Sequence, residues 1–250
     1  LGYGAGVFIA VNSTGKIYYS SNGTTWNQSS QVPTGTTFNT YGYNTIMYGR
    51  GKWIIYPGNS IKQFLVSDDG GVSWKGSPNY DPLFSGLSIG TAYSPTNQYG
   101  KGIFANVGGF YGSYSSILSA GTTMTSSNLN TNDWQGIKYG YGTFVAFCSS
   151  TRTVAYSPNA DGVWNYANFS YGGGSSDVLN QICFGKGKVI IAGLNTNYVQ
   201  STDFINWTAG TSQAPTGGSS EWKAMTYGGG KFIRVGNSST GCYSTNGTTW

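Results

Sequence analysis

The stretch that decides the fold reads Tyr139-Gly140-Tyr141-Gly142-Thr143-Phe144, and it runs directly into Val145-Ala146-Phe147. Short apolar runs bounded by glycine are typical of buried strands. A glycine-rich pair of central residues accepts the positive φ angles that a two-residue β-hairpin turn requires. The stretch therefore predicts two antiparallel strands joined by a tight turn.

The same pattern, aromatic-Gly-x-Gly-x followed by an aromatic residue or, in one copy, by Val, occurs six times along the 250 residues. Successive copies are separated by 45, 51, 40, 45 and 43 positions. Self-similarity with a period of about 20–50 residues is the sequence signature of a repeat architecture. The copies begin at Tyr3, Tyr48, Tyr99, Tyr139, Phe184 and Tyr227.

A second motif follows in each repeat, and its fullest copy reads Ser67-Asp68-Asp69-Gly70-Gly71-Val72-Ser73-Trp74. An Asp or Asn caps a tight turn through its own backbone, Gly takes the unusual φ, and Trp anchors the turn. The copy in the third repeat has decayed around residues 119–124. We expect a structural role for Ser67, Asp69, Gly71 and the terminal tryptophans of the motif, Trp26, Trp74, Trp164, Trp207 and Trp250.

Together the two motifs resemble the Asp-box (BNR) repeat of sialidase-like β-propellers, the kind found in viral tail-fibre and adhesin proteins. The resemblance covers nearly the whole chain and implies an all-β, six-bladed β-propeller of four-stranded antiparallel blades. Strand A would end at the aromatic-Gly pair, strand B would be the apolar run, strand C would lead into the box, and strand D would leave from its Trp. An open β-solenoid is the alternative arrangement.

These repeats predict a single propeller domain over residues 1–250. Its blades cover approximately residues 1–42, 43–87, 88–132, 133–177, 178–220 and 221–250. The first residues look like the middle of a repeat and the last is a box Trp. We therefore expect a parent polypeptide that continues on either side.

Composition narrows the function classes. Aromatic residues make up 16% of the chain and charged residues only 8%, which is typical of many short strands and not of disorder. No apolar run reaches the length of a membrane span. The net charge of +5 comes from scattered residues without a basic run, which argues against nucleic acid. The chain has no His, and Cys148, Cys183 and Cys242 fit no metal motif, so we expect buried free thiols, no metal and no cofactor.

Antiparallel strand order places the A–B hairpins and the boxes on one face and the B–C loops and D–A connections on the other. The second face is irregular, and variable loops on a rigid scaffold usually carry function. Aromatic rings stack on the apolar faces of sugars, and amides and carboxylates bind sugar hydroxyl groups. Tryptophans at a repeated position also suit packing. The candidate ligand-binding residues on this face are Tyr41, Tyr43, Tyr80, Asp81, Phe110, Tyr111, Tyr114, Trp134, Arg152, Tyr166, Tyr171, Asp177, Asn195, Asn197, Glu221 and Trp222.

A sialidase-like activity is the enzymatic alternative. Resemblance to the sialidase family would imply an arginine triad, a Tyr–Glu nucleophile pair and an Asp acid/base. This chain has three arginines, Arg50, Arg152 and Arg234, and a single Glu, Glu221. Arg50 lies in an A–B hairpin on the opposite face. No spacing selects a catalytic carboxylate pair among Asp81, Asp133, Asp177 and Glu221. We therefore predict no catalytic residues.

The leading prediction is a non-catalytic, surface-exposed module that binds glycans or a cell-surface receptor. Abundant Gly, Ser, Thr, Asn and Tyr with few charges also resembles viral fibre proteins and adhesins, which favours an extracellular or virion-surface location. The expected partners are a surface glycan or receptor and other subunits of a larger assembly. A structural or protein–protein interaction propeller is the remaining alternative.

Overall fold

The computed structural model describes residues 1–12, 14–33, 45–56, 64–76, 90–94, 103–108, 111–115, 125–126, 134–160, 163–172, 178–212, 221–236 and 241–250. Every regular element in these ranges is a β-strand, and every ladder between strands is antiparallel. Each sheet is built from strands that are consecutive in sequence, as in propeller blades and unlike the stacked strands of a solenoid.

The chain divides into two compact units, residues Leu1–Asn132 with Pro158–Val163, and residues Asp133–Ser157 with Trp164–Trp250. The first unit contains three four-stranded sheets. They consist of β1 (Gly2–Gly4), β2 (Val7–Val11), β3 (Ile17–Ser20) and β4 (Asn27–Gln28); β5 (Thr45–Gly49), β6 (Lys52–Tyr56), β7 (Leu65–Ser67) and β8 (Lys75–Gly76); and β9 (Gly90–Ser94), β10 (Ile103–Gly108), β11 (Tyr111–Ser115) and β12 (Thr125–Ser126).

The second unit contains two four-stranded sheets and one three-stranded sheet. They consist of β13 (Gly136–Gly140), β14 (Thr143–Cys148), β15 (Thr153–Ser157) and β16 (Asn165–Asn168); β17 (Leu179–Gly185), β18 (Lys188–Gly193), β19 (Asn197–Ser201) and β20 (Thr208–Thr211); and β21 (Trp222–Gly228), β22 (Lys231–Gly236) and β23 (Gly241–Ser244).

The motifs set the strand bounds as expected in the repeats that the structure describes at these points. Strands β1, β5, β13, β17 and β21 all end at the Gly of the aromatic-Gly pair. Strands β4, β8, β16 and β20 begin one residue after Trp26, Trp74, Trp164 and Trp207, respectively. The third copy of the first motif, at Tyr99, and the decayed box at residues 119–124 lie outside the described residues.

The prediction of six four-stranded blades is not reproduced, because the described residues form five. The last sheet has three strands, β21, β22 and β23. In the fifth blade the outer strand begins directly after Trp207, and Trp250 holds the same place in the motif at the last position of the sequence.

In the five sheets whose first hairpin turn the structure describes, both central residues of that turn have left-handed backbone. In the fourth blade these are Tyr141, with φ of 50°, and Gly142, with φ of 78°. Two positive φ angles define the type I′ turn, whose twist matches that of paired strands. The residues on either side of the turn face each other, so the rings of Tyr139 and Phe144 lie 4.8 Å apart between centroids.

The glycine of the aromatic-Gly pair has a different role, which is packing between consecutive blades. A Cβ on Gly4 would lie 2.5 Å from Cβ of Tyr48, which is the motif aromatic of the next blade. A Cβ on Gly140 would lie 2.4 Å from Cγ of Phe184, and one on Gly185 would lie 2.5 Å from Tyr227. The aromatic residue of each of these blades therefore rests on the bare backbone of the blade before it.

Apolar side chains fill the space between consecutive blades around these contacts. In the first unit Ile9 packs with Trp53, Ile55 and Trp74. In the second unit one cluster joins the fourth and fifth blades, and another joins the fifth blade to the last sheet through Ile190 and Phe232. Burying each large side chain of this kind stabilises the fold by about 1.5–3 kcal/mol.

Substitution of Gly140 by Ala tests the packing role of this glycine. The added methyl group overlaps Phe184, and overpacking of this kind costs about 1–3 kcal/mol. The matched control is Gly228→Ala, at the same motif position, where an added Cβ meets nothing within 4 Å among the described residues. Urea unfolding followed by Trp fluorescence should show a lower midpoint for Gly140→Ala only. Equal destabilisation by both changes would contradict the assignment.

Candidate functional site

Each blade has two ends with different character. One end, here the turn side, carries the A–B hairpins and the Ser-x-Asp/Asn turns that join the third strand to the fourth. The other end, here the loop side, carries the B–C loops, such as residues 149–152 and 194–196, and the connections to the next blade. The observed antiparallel strand order produces this division, as the sequence predicted.

On the turn side, a buried serine and an Asp or Asn hold the box-like turns of the first, second and fifth blades and of the last sheet. The Ser201 hydroxyl accepts the N–H of Asp203 at 3.2 Å and of Phe204 at 2.8 Å, and it donates to Asp203 Oδ1 at 3.0 Å. Asp203 Oδ1 in turn accepts the N–H groups of Ile205 and Asn206. Ser20 with Asn22, and Ser244 with Asn246, make the same set of bonds.

These bonds lower the pKa of the turn carboxylates. Hydrogen bonds from the backbone and side chain of Asn206 hold the pKa of Asp203 well below its usual range. For Asp69, partial burial raises the pKa, but bonds from Ser73, Ser67 and the backbone outweigh it and leave the pKa lowered. Both carboxylates therefore stabilise the fold in their ionised form, which is the behaviour of a structural turn.

Replacement of Asp203 by Asn tests this role through pH. Because the pKa of Asp203 is lower in the folded protein, its contribution is present above the unfolded value of about 3.9 and is lost as pH falls below it. Asn22 and Asn246 make the same bonds without a charge, so Asp203→Asn should fold and lose less stability between about pH 5 and 2. Thermal melts across that range measure how steeply the stability changes with pH. Asn246→Asp is the reciprocal control and should steepen it.

Several predicted ligand-binding residues lie outside the described part of the chain: Tyr41, Tyr43, Tyr80, Asp81, Phe110 and Asp177. Five others lie on strands and not in loops: Tyr111, Tyr114, Tyr166, Asn197 and Trp222. Tyr111 begins β11 and pairs with Gly108, while Tyr114 is central in its sheet, paired with both Ala105 and Thr125. Asn197 begins β19.

Three predicted aromatic contacts are buried, which corrects their assignment as ligand platforms. Trp134 is 0% exposed and Trp222 is 1% exposed, so their indole faces are closed to a ligand. Their repeated position, five residues before the aromatic-Gly pair, serves packing, the alternative that the sequence left open. Tyr171 is 8% exposed and belongs to the core cluster between the fourth and fifth blades, where it stacks on Phe169.

The loop side of the fourth blade does expose polar and aromatic groups. Arg152 is exposed in the loop at residues 149–152, and its guanidinium lies 5.0 Å from the centre of the Tyr171 ring. Its backbone is fixed on both sides, because its N–H donates to Ser149 O at 3.3 Å and its carbonyl accepts from Phe169 at 3.0 Å. Tyr166 lies on β16, is 42% exposed and contacts Trp134 with one face.

The loop side of the last two sheets carries an arginine whose role the sequence analysis missed. Arg234 on β22 is fully buried and donates to Ser212 Oγ and Gly193 O, both at 2.6 Å, and to Asn195 O at 3.4 Å. Its guanidinium also lies 5.0 Å from the Trp222 ring and 5.7 Å from the Trp250 ring. The predicted residue Asn195 therefore contributes its carbonyl to this clamp. The charge of Arg234 inside the apolar run at residues 232–235 is the feature of the sequence that could have revealed this role.

Glu221 lies beside this clamp in the sequence but pairs elsewhere. Its carboxylate accepts a hydrogen bond from the exposed Lys223 ammonium. The loop-side candidates thus separate into an exposed group around Arg152 on the fourth blade and a buried clamp around Arg234 between the fifth blade and the last sheet.

Truncation of Arg234 tests the clamp. Hydrogen bonds to a charged group contribute about 1.5–3 kcal/mol each, so Arg234→Ala should cost at least about 2 kcal/mol. Hydrogen exchange should speed up at Trp222, whose N–H donates to Leu194 O in the loop that Arg234 holds. Lys231→Ala on the same strand removes an exposed cation over Tyr243 and should cost less than about 1 kcal/mol. Unchanged exchange at Trp222 would contradict the clamp.

The described residues contain no cluster of three or more His, Cys, Asp or Glu side chains that could hold a metal ion. Within those residues, Cys148, Cys183 and Cys242 are free thiols, and burial raises the pKa of Cys183 and of Cys242. Cys148 and Cys183 are buried as expected, whereas Cys242 is only half-buried. The same part of the chain has no helix long and apolar enough to cross a membrane.

No protein-family model and no curated protein sequence matches the chain. Solved structures do. YCF48 bound to D1 peptide matches with 13% identity and a TM-score of 0.58, over 91% of this chain and 70% of that chain. A catalytically inactive virginiamycin B lyase from Staphylococcus aureus, with quinupristin, matches with 10% identity and a TM-score of 0.65, over 94% of this chain and 82% of that chain. The computationally designed Ika8 protein matches with 10% identity and a TM-score of 0.65, over 97% of this chain and 69% of that chain. These likenesses extend to the fold alone, and they agree with its propeller blades.

Proposed function

We propose that this protein is a non-catalytic binding module that recognises glycans on a cell surface through the loop side of its blades. A β-propeller suits a binding or interaction role, because loops of different sequence stand on a rigid set of sheets. The observation that carries the proposal is the exposed Arg152 guanidinium held over Tyr171.

Arg152 has the properties of a preorganised recognition residue. It is a non-glycine residue with a φ of 55°, a conformation that costs free energy and that the surrounding loop must enforce. The stacking on Tyr171 restricts the side chain, so less conformational entropy is lost when a ligand binds. A planar guanidinium donates in a fork that matches a carboxylate, which favours a glycan with an acidic sugar.

The distribution of carboxylates supports binding without catalysis. Glycoside hydrolysis generally needs two carboxyl groups flanking the scissile bond. Among the described residues, Asp68, Asp69 and Asp203 lie in box-like turns on the turn side, and Glu221 lies apart from them next to Lys223. Asp81, Asp133 and Asp177 lie outside the described residues.

The same proposal extends to the repeat family, the number of blades and the location of the protein. The repeat motifs are those of Asp-box propellers, and the three-stranded last sheet counts as a sixth blade. The low charge and the abundance of small polar and aromatic residues suit a viral fibre or adhesin that presents its loop side at an extracellular or virion surface.

A glycan array with the purified protein tests this function, with sialoside hydrolysis measured on the same sample. Saturable binding without turnover is the expected result. Arg152→Ala should weaken binding at least about tenfold, equivalent to about 1.4 kcal/mol. Arg50→Ala is the matched control, since it removes the same charge from a hairpin on the turn side and should bind like the unmodified protein.

Two outcomes would overturn the proposal. Equal losses for Arg152→Ala and Arg50→Ala would show that only overall charge matters. Turnover of a sialoside would show an enzyme. Thermal melts of both variants establish that any loss occurs in folded protein.

A protein-binding platform is the second candidate. The observation that favours it is that one structural neighbour, YCF48, is described with a bound peptide. A protein partner would leave the glycan array without signal and would make peptide binding the informative measurement.

A further inference from the structure

The box-like turn of the fifth blade departs from the repeat at two consecutive positions. The turns of the first blade and of the last sheet carry Gly23-Thr24 and Gly247-Thr248, whereas the fifth carries Phe204-Ile205. The same hydrogen bonds surround all three pairs, so their positions are equivalent. The fifth blade therefore has two large apolar residues where the other two turns have a glycine and a small polar residue.

Phe204 keeps the backbone conformation of the glycine that it replaces. Its φ is 65°, compared with 76° at Gly23 and 77° at Gly247. A bulky residue in this left-handed region is uncommon and costs free energy, and residues held in such conformations cluster at functional sites. The turn holds Phe204 on both sides, because its N–H donates to Ser201 Oγ at 2.8 Å and its carbonyl accepts from the Trp207 indole at 3.0 Å.

The half-buried Phe204 ring belongs to a row of aromatic rings on the turn side of the fourth and fifth blades. Its centroid lies 6.2 Å from that of Tyr156 and 6.4 Å from that of Phe184. The Phe184 ring meets the Tyr141 ring edge-on, with 5.6 Å between centroids. Packing accounts for Phe204, but Ile205 beside it is 57% exposed and Tyr141 is 54% exposed. We call this contiguous surface of Tyr141, Phe184, Phe204 and Ile205 the turn-side patch.

Lysines border the turn-side patch. Lys186 and Lys188 flank Gly187, whose N–H donates to the Tyr141 hydroxyl at 2.8 Å. Lys138 precedes Tyr141 on β13, and its ammonium reaches the fifth blade, where it donates to a backbone carbonyl at 3.4 Å. Within the described ranges, none of these three lysines forms an ion pair with a carboxylate.

The carboxylate of Asp203, next to Phe204, is bound within its own turn. It accepts hydrogen bonds from the Ser201 hydroxyl, from the N–H groups of Ile205 and Asn206, and from the Asn206 side chain. Three lysines stand against this one carboxylate, so the described border of the patch is positively charged. Such a border complements a partner that carries negative charge.

We propose that the turn-side patch is a docking site for another polypeptide, in a segment that carries large apolar side chains next to carboxylates. The apolar side chains cover Ile205 and the aromatic rings, and the carboxylates pair with the lysines at the border. An apolar centre with a polar rim is the usual anatomy of a protein–protein interface. A nucleic acid or a glycan offers charges and hydroxyl groups but no apolar side chain for Ile205, so the composition of the patch favours a protein.

The docking site is separate from the proposed glycan site, because the patch lies on the turn side of the blades and Arg152 on the loop side. Both surfaces can therefore be occupied at the same time. Arg152→Ala should weaken glycan binding and leave peptide binding at the patch unchanged, so the two proposals succeed or fail independently.

Selection from a displayed library of random peptides tests the chemistry of the partner. The library is selected on the unmodified protein after depletion on the double variant Phe204→Gly/Ile205→Thr. Recovered peptides should be enriched in Leu, Phe or Trp next to Asp or Glu. Enrichment of acidic residues without apolar ones would show a surface that is selective for charge alone. That outcome, enrichment of apolar residues without acidic ones, or no enrichment would overturn the proposal.

The same double variant measures the contribution of the patch. It restores the Gly-Thr pair of the first and last turns, so the turn should fold with its hydrogen bonds kept. Titration with the most enriched peptide, followed by fluorescence polarisation, should show binding at least about tenfold weaker. The matched control is Ile233→Thr, which removes an isoleucine that is 40% exposed on β22 and should bind like the unmodified protein. Thermal melts establish that both variants are folded, and equal losses would contradict the docking site.

Reversal of one charge tests the border of the patch. Lys186→Glu should weaken binding of the same peptide by at least about tenfold, because it removes an attraction and adds a repulsion. Lys16→Glu is the control, since it makes the same change of net charge in the loop between β2 and β3 on the loop side. Equal effects of the two variants would show that only overall charge matters and would overturn the assignment.

Size-exclusion chromatography with light scattering distinguishes a partner from a second copy of this chain. The unmodified protein should be a monomer at the concentration of the titration. A dimer that Phe204→Gly/Ile205→Thr dissociates would show that the patch pairs with another copy of itself and would overturn the proposed partner.

Discussion

Contact between the motif aromatic of one blade and the motif glycine of the blade before it is the constraint on which the observed packing depends. Tyr48 lies on Gly4, Phe184 on Gly140 and Tyr227 on Gly185, each at a distance that leaves no room for a Cβ. The backbones of consecutive blades therefore approach closely. Apolar residues of the second and third strands then fill the space that this approach encloses.

The Ser-x-Asp/Asn turns couple the outer part of each blade to the same packing. Gly71 in the turn of the second blade sits against Ile9 of the first, and Gly247 in the last sheet sits against Ile190 of the fifth blade. These turns are held internally by a buried serine, and those of the second blade and of the last sheet also dock on the preceding blade through a glycine. Because Asn and Asp make equivalent bonds at these positions, the charge of the turn can vary between repeats while its geometry is kept.

Repetition explains how much of this fold was predictable. Recurrence of both motifs predicted the hairpins, the strand that begins after each box Trp and the division into turn and loop sides. The sequence could not reveal that Gly140 is required by Phe184, since a glycine may equally serve a turn. It also could not separate the buried Trp134 and Trp222 from surface aromatics, because their closure depends on packing between blades.

Positions that depart from the repeat are informative about function. Arg152 and Arg234 show that the burial of such a residue must be known before a role is assigned to it. Arg234 replaces the apolar residue found at Ile191 in the fifth blade, yet it is fully buried and bound to backbone carbonyls, so it acts in folding. Arg152, in contrast, is an exposed residue on the loop side, and its guanidinium lies over the buried ring of Tyr171. The proposed recognition site therefore lies on the loop side of the fourth blade, whereas the clamp around Arg234 holds the loops beside it.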